Sequence, residues 1–438
     1  MKNRKFIVDT LVVGFTLFAT FFGAGNLVFP PYMGILVGNQ WIKAILGLAL
    51  TGILVSVLSM VGVVKGGGSI QKVTKPIASW FYIIFNILTM YLIALFILIP
   101  RTGATTYEVG FRTLLPQVPH LAVLIIFFTV VYFLTVDKLG AVDKIGRYLT
   151  PTLIIMIVVI ILAGIVNPLE TNMAPSKIET PFAWAFSEGY QMGDLVTGLL
   201  FSSVMVMTIK HKKYSPQEGL KMTYIASAIA SGLLLFIYGS LLWIGASGSS
   251  TFDPSIERTD LLSQIVKLTI GPAGQLILSI TVILACLTTA VGLLTAVADF
   301  TSTLLRHRIS YKVTVLIFCI FCVFQADIGV ERIIGLSSPF FAVAYPIGII
   351  VTFIGLFRQK IPNDGATKGA VLLTVIYTLI EAFAMSGIGT TYLQPIVQCV
   401  PLGAQGFGWV SVAIVGGIIG TLLWKFSHGD ERGYIAED

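Results

Sequence analysis

The sequence predicts an all-α polytopic membrane protein, and three observations carry that reading. Of 438 residues, 56% are hydrophobic and only 11% charged, with a mean hydropathy of +0.91. A soluble chain of this length could not bury so much apolar surface or manage with so little charge. Apolar runs of about 20 residues recur along the chain, the length a helix needs to cross a bilayer. Basic residues also gather in alternate connections between these runs.

Twelve spans fit the pattern, at roughly 8–36, 40–62, 76–100, 119–136, 147–166, 184–208, 220–246, 271–300, 311–327, 331–354, 368–386 and 405–425. The ninth and tenth require a tight turn where Asp327 and Glu331 interrupt a nearly continuous apolar stretch. The N-terminal stretch is too long for a signal-peptide core and lacks a small-residue cleavage pattern, so it is expected to remain as the first span. An even count puts both termini on one side. The N-terminus, the loops after even-numbered spans and the C-terminus then hold 21 of the 28 Lys and Arg residues. The positive-inside bias predicts cytoplasmic termini.

The first span has a weak centre: Phe21-Phe22-Gly23-Ala24-Gly25-Asn26-Leu27-Val28-Phe29-Pro30-Pro31. Glycine stabilises a helix poorly, and proline lacks the amide hydrogen that a helix interior uses. Two readings stand. The glycines let a neighbouring helix approach closely, or the helix unwinds and its freed backbone groups face a cavity or a bound solute.

The sixth span holds a second polar, glycine-bearing stretch, Phe186-Ser187-Glu188-Gly189-Tyr190-Gln191-Met192-Gly193-Asp194. It reads either as another helix break near residue 190 or as an external loop feeding a short span. As breaks, the two lie five spans apart. Five is odd, so successive five-span units have opposite orientations, as in an inverted repeat. The expected organisation is a five-plus-five inverted-repeat core with helices 1 and 6 broken. Residues 8–166 form the first repeat and 184–354 the second, with two peripheral helices at 368–425.

The eighth span carries hydroxyls within an apolar helix, at Thr281, Thr288, Thr289 and Thr295. Helix threonines commonly bond back to the preceding turn, which is expected of Thr281 and Thr295. Thr288 and Thr289 are adjacent, and hard cations prefer oxygen ligands. With carbonyls freed from another helix they could instead hold sodium.

Arg101 and Glu108 bracket an outer helix end and read as a gate or a surface pair. Asp137-Lys138 and Asp143-Lys144 read as a charged cytoplasmic connector. Cys319 and Cys322 have CxxC spacing but sit in an apolar run, so they read as buried small hydrophobes. Scattered histidines form no metal-ligand motif, and nothing resembles a nucleotide-binding loop. An enzyme is therefore not expected. The net charge of +7 is dispersed and does not suggest nucleic acid. The lipid bilayer is the expected surrounding, and no obligatory protein partner is apparent.

The segment FFGAGNLVFPP closely resembles bacterial branched-chain amino acid:cation symporters, the leucine/isoleucine/valine carriers. Pro100-Arg101-Thr102-Gly103-Ala104 and Glu188-Gly189-Tyr190-Gln191 resemble them too. The family is similar in architecture to the amino acid–polyamine–cation superfamily, which implies the same five-plus-five core. The resemblance implies sodium as coupling ion, no organic cofactor, and leucine, isoleucine and valine as substrates. It puts the substrate at Gly23, Ala24, Gly25, Asn26, Glu188, Gly189 and Tyr190, with the Ala24 and Gly25 amides toward the carboxylate. The implied sodium ligands are the Ala19, Phe22 and Ala285 carbonyls and the Thr288 and Thr289 hydroxyls. Two other classes stay open: a proton-coupled transporter using Glu188 or Asp194, and a membrane channel.

Overall fold

The computed structural model describes residues 2–136, 150–306 and 308–436, whose regular secondary structure is helical, with no strand among them. The charged connector Asp137-Lys138 and Asp143-Lys144 lies outside the described residues. In chain order the principal elements begin with α1 (Lys2–Phe21) and α2 (Ala24–Val37). A helical run, α3, follows from 41 to 65, then α4 (Phe81–Phe111), α5 (His120–Val136), α6 (Thr150–Val166), α7 (Pro181–Met192) and α8 (Asp194–His211). The remainder are α9 (Pro216–Ser247), α10 (Arg258–Thr269), α11 (Pro272–Leu304), α12 (Tyr311–Ala326), α13 (Val330–Phe357), α14 (Asp364–Met385), α15 (Thr390–Cys399) and α16 (Gly408–His428).

Among the described residues, seven helices are long and apolar enough to cross a membrane, or eight if α7 and α8 count as one broken span. Three more, α5, α6 and α12, are apolar but shorter. One of the seven, Gly25–Lys65, runs to 41 residues. At 1.5 Å per residue that is roughly 60 Å, twice a hydrocarbon core of about 30 Å. Gly38, at φ 45°, opens a 3-10 turn within it. The turn expected near Asp327 is present: α12 ends at Ala326, α13 starts at Val330, and Gly329 sits at φ 87°.

Large apolar side chains cover the outside, including Val166 at 75%, Phe133 at 69% and Phe426 at 95% exposed. In water such faces would drive association; in lipid they are ordinary surface. The CxxC cysteines are small buried hydrophobes, as expected, with Cys319 4% and Cys322 0% exposed.

The chain clusters into two compact units, and each draws on both sequence-predicted halves. The first comprises Met1–Ile53, Ala94–Met192 and Ile225–Gly335. Its helices approach to backbone contact where glycines allow it. A Cβ on Gly34 would lie 2.2 Å from the Leu242 carbonyl oxygen, and one on Gly245 would lie 2.0 Å from that of Pro31. Small residues set such approaches between membrane helices, and here they bring α2 against α9.

The second unit comprises Leu54–Ile93, Gly193–Tyr224 and Leu336–Asp438. Gly62 and Gly355 meet at backbone distance, as do Gly369 and Gly416. Its C-terminal turn is held by Asp364, whose carboxylate accepts from the Tyr434 and Ile435 amides, each at 2.8 Å. Arg358 donates to the Tyr434 carbonyl at 2.7 Å.

Candidate functional site at the helix breaks

The first helix breaks at the glycine motif. The α1 ladder closes with the Phe22 amide donating to Phe18, and Gly23 is extended at φ −119°, ψ −166° before α2 starts at Ala24. A break leaves carbonyls at the end of one half and amides at the start of the other without intrahelical partners. Asn26 answers part of that need. Its Nδ2 donates to the Phe21 carbonyl at 2.7 Å and to the Tyr238 hydroxyl, and the side chain is 1% exposed. Asn26, singled out from sequence as a substrate ligand, thus braces the break from within. Phe22 stacks on Phe18 at 5.3 Å and on Tyr238 at 6.5 Å, walling the same region with aromatic rings.

The α11 threonines reach this break. A Cβ on Gly23 would lie 2.7 Å from Thr289 Oγ1, so the hydroxyl rests directly against the extended residue. That oxygen is buried, in a residue 9% exposed, and has no hydrogen-bond partner among the described residues. Such an atom costs about 1–3 kcal/mol unless something satisfies it. Thr288 behaves as helix hydroxyls usually do and donates to Ala285 at 2.9 Å. Thr281 and Thr295 also bond back one turn, as expected, each at 2.7 Å. Ala19, Phe22 and Ala285 are fully buried. Among the described residues no three His, Cys, Asp or Glu side chains cluster as metal ligands. The oxygens near the break are carbonyls and hydroxyls, a donor set that suits a hard monovalent cation.

The second sequence-predicted break falls at Gly193 rather than near residue 190. The α7 helix continues to Met192, and Gly193 takes the left-handed conformation at φ 83° before Asp194. The residues Pro181–Met192 are helical, and α7 and α8 are bent by 45° at the break between them. Gly189 lies within α7 and permits close packing, since a Cβ there would meet Thr51 Oγ1 at 2.2 Å. The same Thr51 hydroxyl donates to the Phe186 carbonyl at 2.8 Å. Tyr190 is 7% exposed and sits edge-on to Phe186, with ring centroids 5.8 Å apart.

Glu188 is half-buried, in the electrostatic field of Arg258 and Glu331. The Arg258 guanidinium bonds Glu331 and lies over the Phe29 and Tyr32 rings at 5.1 and 4.2 Å. Arg101 and Glu108, bracketed together from sequence, go to different partners. Arg101 donates to the Gln191 carbonyl at 2.7 Å and the Met192 carbonyl at 3.1 Å. Glu108 accepts from the Thr259 hydroxyl and the Val330 amide, each at 2.9 Å.

Sequence reasoning read Arg101 as part of a gate or a surface pair and missed its position beside the first break, where a Cβ on Gly25 would lie 2.7 Å from its Nη2. The available signal was a lone cation inside an apolar helix, which is costly in lipid unless it has a dedicated role.

A broken membrane helix that gathers buried oxygens at its gap, in a chain built of apolar helices, is the architecture of a secondary transporter. Comparison with known proteins narrows the class. The family described as "Branched-chain amino acid transport protein" matches residues 7–427, and the chain belongs to that family. It is a transporter and not an enzyme. It is 32% identical over 435 residues to the branched-chain amino acid permease BraB of Bacillus subtilis (strain 168), covering 97% of this chain and 98% of that one.

Among solved structures, the nucleobase-cation-symport-1 family transporter Mhp1 shares the fold at a TM-score of 0.61 and 13% identity, covering 98% of this chain and 95% of that one. A Na+-coupled sialic acid symporter does so at 0.60 and 14%, covering 94% of this chain and 90% of that one.

Proposed function

We propose that this protein imports leucine, isoleucine and valine across the bacterial plasma membrane by alternating access, coupled to sodium. The chain would cross twelve times with both termini cytoplasmic. Residues 8–166 and 184–354 would form the inverted repeats, and 368–425 the peripheral helices. Family membership and the naming of its relatives as branched-chain amino acid permeases support the substrate class. The observation that carries sodium coupling is the buried Thr289 hydroxyl against Gly23, with no hydrogen-bond partner among the described residues.

In this reading sodium takes the Ala19, Phe22 and Ala285 carbonyls with the Thr288 and Thr289 hydroxyls. It ties α1 to α11 and fixes the break beside it. The positive N-terminal end of α2, through the Ala24 and Gly25 amides, takes the substrate carboxylate. Glu188 favours the ammonium side, with Gly189 and Tyr190 on the same helix. The branched tail needs an apolar pocket, and one methylene changes discrimination by only about 1–3 kcal/mol. Three aliphatic substrates on one carrier follow from that small margin.

The test is labelled-leucine uptake into proteoliposomes under an inward sodium gradient, in wild type and in a Thr288→Ala/Thr289→Ala variant. Sodium-dependent uptake lost in the variant is expected. Unchanged sodium dependence in the variant defeats the ion site. Uptake driven by a pH gradient without sodium points to the competing reading, proton coupling through Glu188 or Asp194.

A further inference from the structure

We propose that α14, α15 and the turn after α15 form a binding site for a small organic ammonium ion, with Glu381 as its counter-ion. The site goes beyond the transport reading, because it draws no residue from the helix breaks.

Between Lys368 and Lys425, Glu381 is the sole charged residue, and no histidine accompanies it. It stands one turn before the end of α14, a helix long and apolar enough to cross a membrane. A carboxylate in such a helix is costly unless it is paired, neutralised or facing a polar space. Among the described residues no group bonds to it. Instead it lines a cavity of about 220 Å³ together with Gln394, Gln398, Met385, Val397 and Gly403.

Helical spacing gathers the polar groups. Gln394 and Gln398 lie four apart on α15 and so share a face. Tyr377 and Glu381 have the same spacing on α14. Tyr377 is 4% exposed, and its hydroxyl has no hydrogen-bond partner among the described residues. Gly403, which lines the cavity, and Gly408 both pack against that hydroxyl. A hydroxyl and a carboxylate one turn apart, neither bonded to the other, can share one donor group. An ammonium has three N–H donors, which match the carboxylate, the tyrosine oxygen and a glutamine amide oxygen.

Charge and size set the ligand class. No basic residue on these helices meets an anion, so the ligand is an amine rather than an amino acid. The cavity far exceeds the ~30 Å³ of one water, so a bare ion would leave most of it empty. It also falls below the roughly 300 Å³ at which pockets for drug-sized ligands begin. A short alkylammonium suits it, with Met385 and Val397 against the chain. On α15, Tyr392 is 79% and Ile396 49% exposed, as suits a helix at a membrane interface. Free amines and the ethanolamine headgroups of phospholipids both offer an ammonium there, the phosphate of the latter staying outside the cavity.

The test is equilibrium dialysis of labelled n-butylamine against the full-length protein in lipid-free detergent, with and without saturating leucine. Wild type should bind the amine at Glu381, and leucine should leave that binding unchanged. A charge-assisted hydrogen bond is worth roughly 10- to 100-fold in affinity, and a neutral one roughly 2- to 10-fold. Glu381→Gln should therefore raise the dissociation constant by about the first factor and Tyr377→Phe by about the second. Ala404→Phe keeps the carboxylate and places a ring in the cavity, so it should abolish binding. It is the variant to read if the glutamine variant fails to insert. γ-Aminobutyrate, which adds a carboxylate to an alkylammonium, should bind at least about tenfold more weakly than n-butylamine.

Repeating the dialysis in nanodiscs identifies the source of the ammonium. Binding lost in phosphatidylethanolamine but kept in phosphatidylglycerol assigns the lipid headgroup; binding kept in both assigns a free amine. No binding by wild type, equal binding by Glu381→Gln or Ala404→Phe, or binding that leucine displaces would each overturn the assignment.

Discussion

Gly23→Ala puts the proposed ion site under direct strain without altering any of its proposed ligands. Gly23 is extended at φ −119°, a conformation alanine adopts freely, so backbone strain does not enter. The effect is steric. The new methyl would lie 2.7 Å from Thr289 Oγ1, 3.1 Å from its Cγ2 and 3.3 Å from its Cβ. Rotation about χ1 only exchanges the hydroxyl contact for a methyl contact, so the threonine must withdraw from the break.

Overpacking of this kind costs about 1–3 kcal/mol. If that cost falls on the ion-competent arrangement, sodium half-saturation rises roughly 5- to 150-fold at 1.4 kcal/mol per decade. The assay is leucine uptake in proteoliposomes over a sodium titration, alongside thermal unfolding in detergent. Thr289→Ala removes both the oxygen and the methyl that Gly23→Ala strikes. The double variant should therefore recover the stability that Gly23→Ala loses, while sodium dependence stays weak. Non-additivity of that kind identifies a direct contact. Sodium half-saturation within threefold of wild type in Gly23→Ala, with strictly additive stabilities, would refute the reasoning.

Three further outcomes follow. Asn26→Ala leaves the Phe21 carbonyl and the Tyr238 hydroxyl without their donor, so unfolding in detergent should be easier by about 1–3 kcal/mol, with Tyr238→Phe closer to wild type. Gly245→Ala drives a methyl to 2.0 Å from the Pro31 carbonyl oxygen. Neither backbone can give way, so well-folded yield should fall far more than for Gly232→Ala, where a Cβ meets nothing within 4 Å; size-exclusion chromatography reads both. Arg258→Gln removes the ion pair with Glu331 and the cation over Phe29 and Tyr32. It should increase labelling of a cysteine placed at Tyr32 by a membrane-impermeant reagent, whereas Lys267→Gln, which changes a charge elsewhere, should not.

Much of this was legible in the sequence because membrane helices announce themselves by composition. Two glycines between apolar runs located the first break within two residues, because glycine stabilises a helix poorly. The second break was legible only as a region. Gly189 and Gly193 look alike in a string, yet Gly189 is spent on close contact with Thr51 and Gly193 on a left-handed turn. Only the three-dimensional neighbour decides which glycine packs and which bends.

The partners of Arg101, Glu108 and Glu188 lay beyond reach for the same reason. Each comes from a helix far away in the chain, and helical periodicity reports a residue's face without naming what covers it. Asn26 has a structural role that its residue type does not announce: the break itself has a carbonyl to satisfy, and the Asn26 amide serves it.

The most direct measurement is accumulation of labelled leucine in proteoliposomes carrying either a sodium gradient or a proton gradient, each alone and with the membrane potential held at zero. Sodium coupling predicts uptake above equilibrium with sodium alone, abolished when Thr288 and Thr289 are both replaced by alanine. Concentrative uptake with the proton gradient alone, untouched by that replacement, would contradict it.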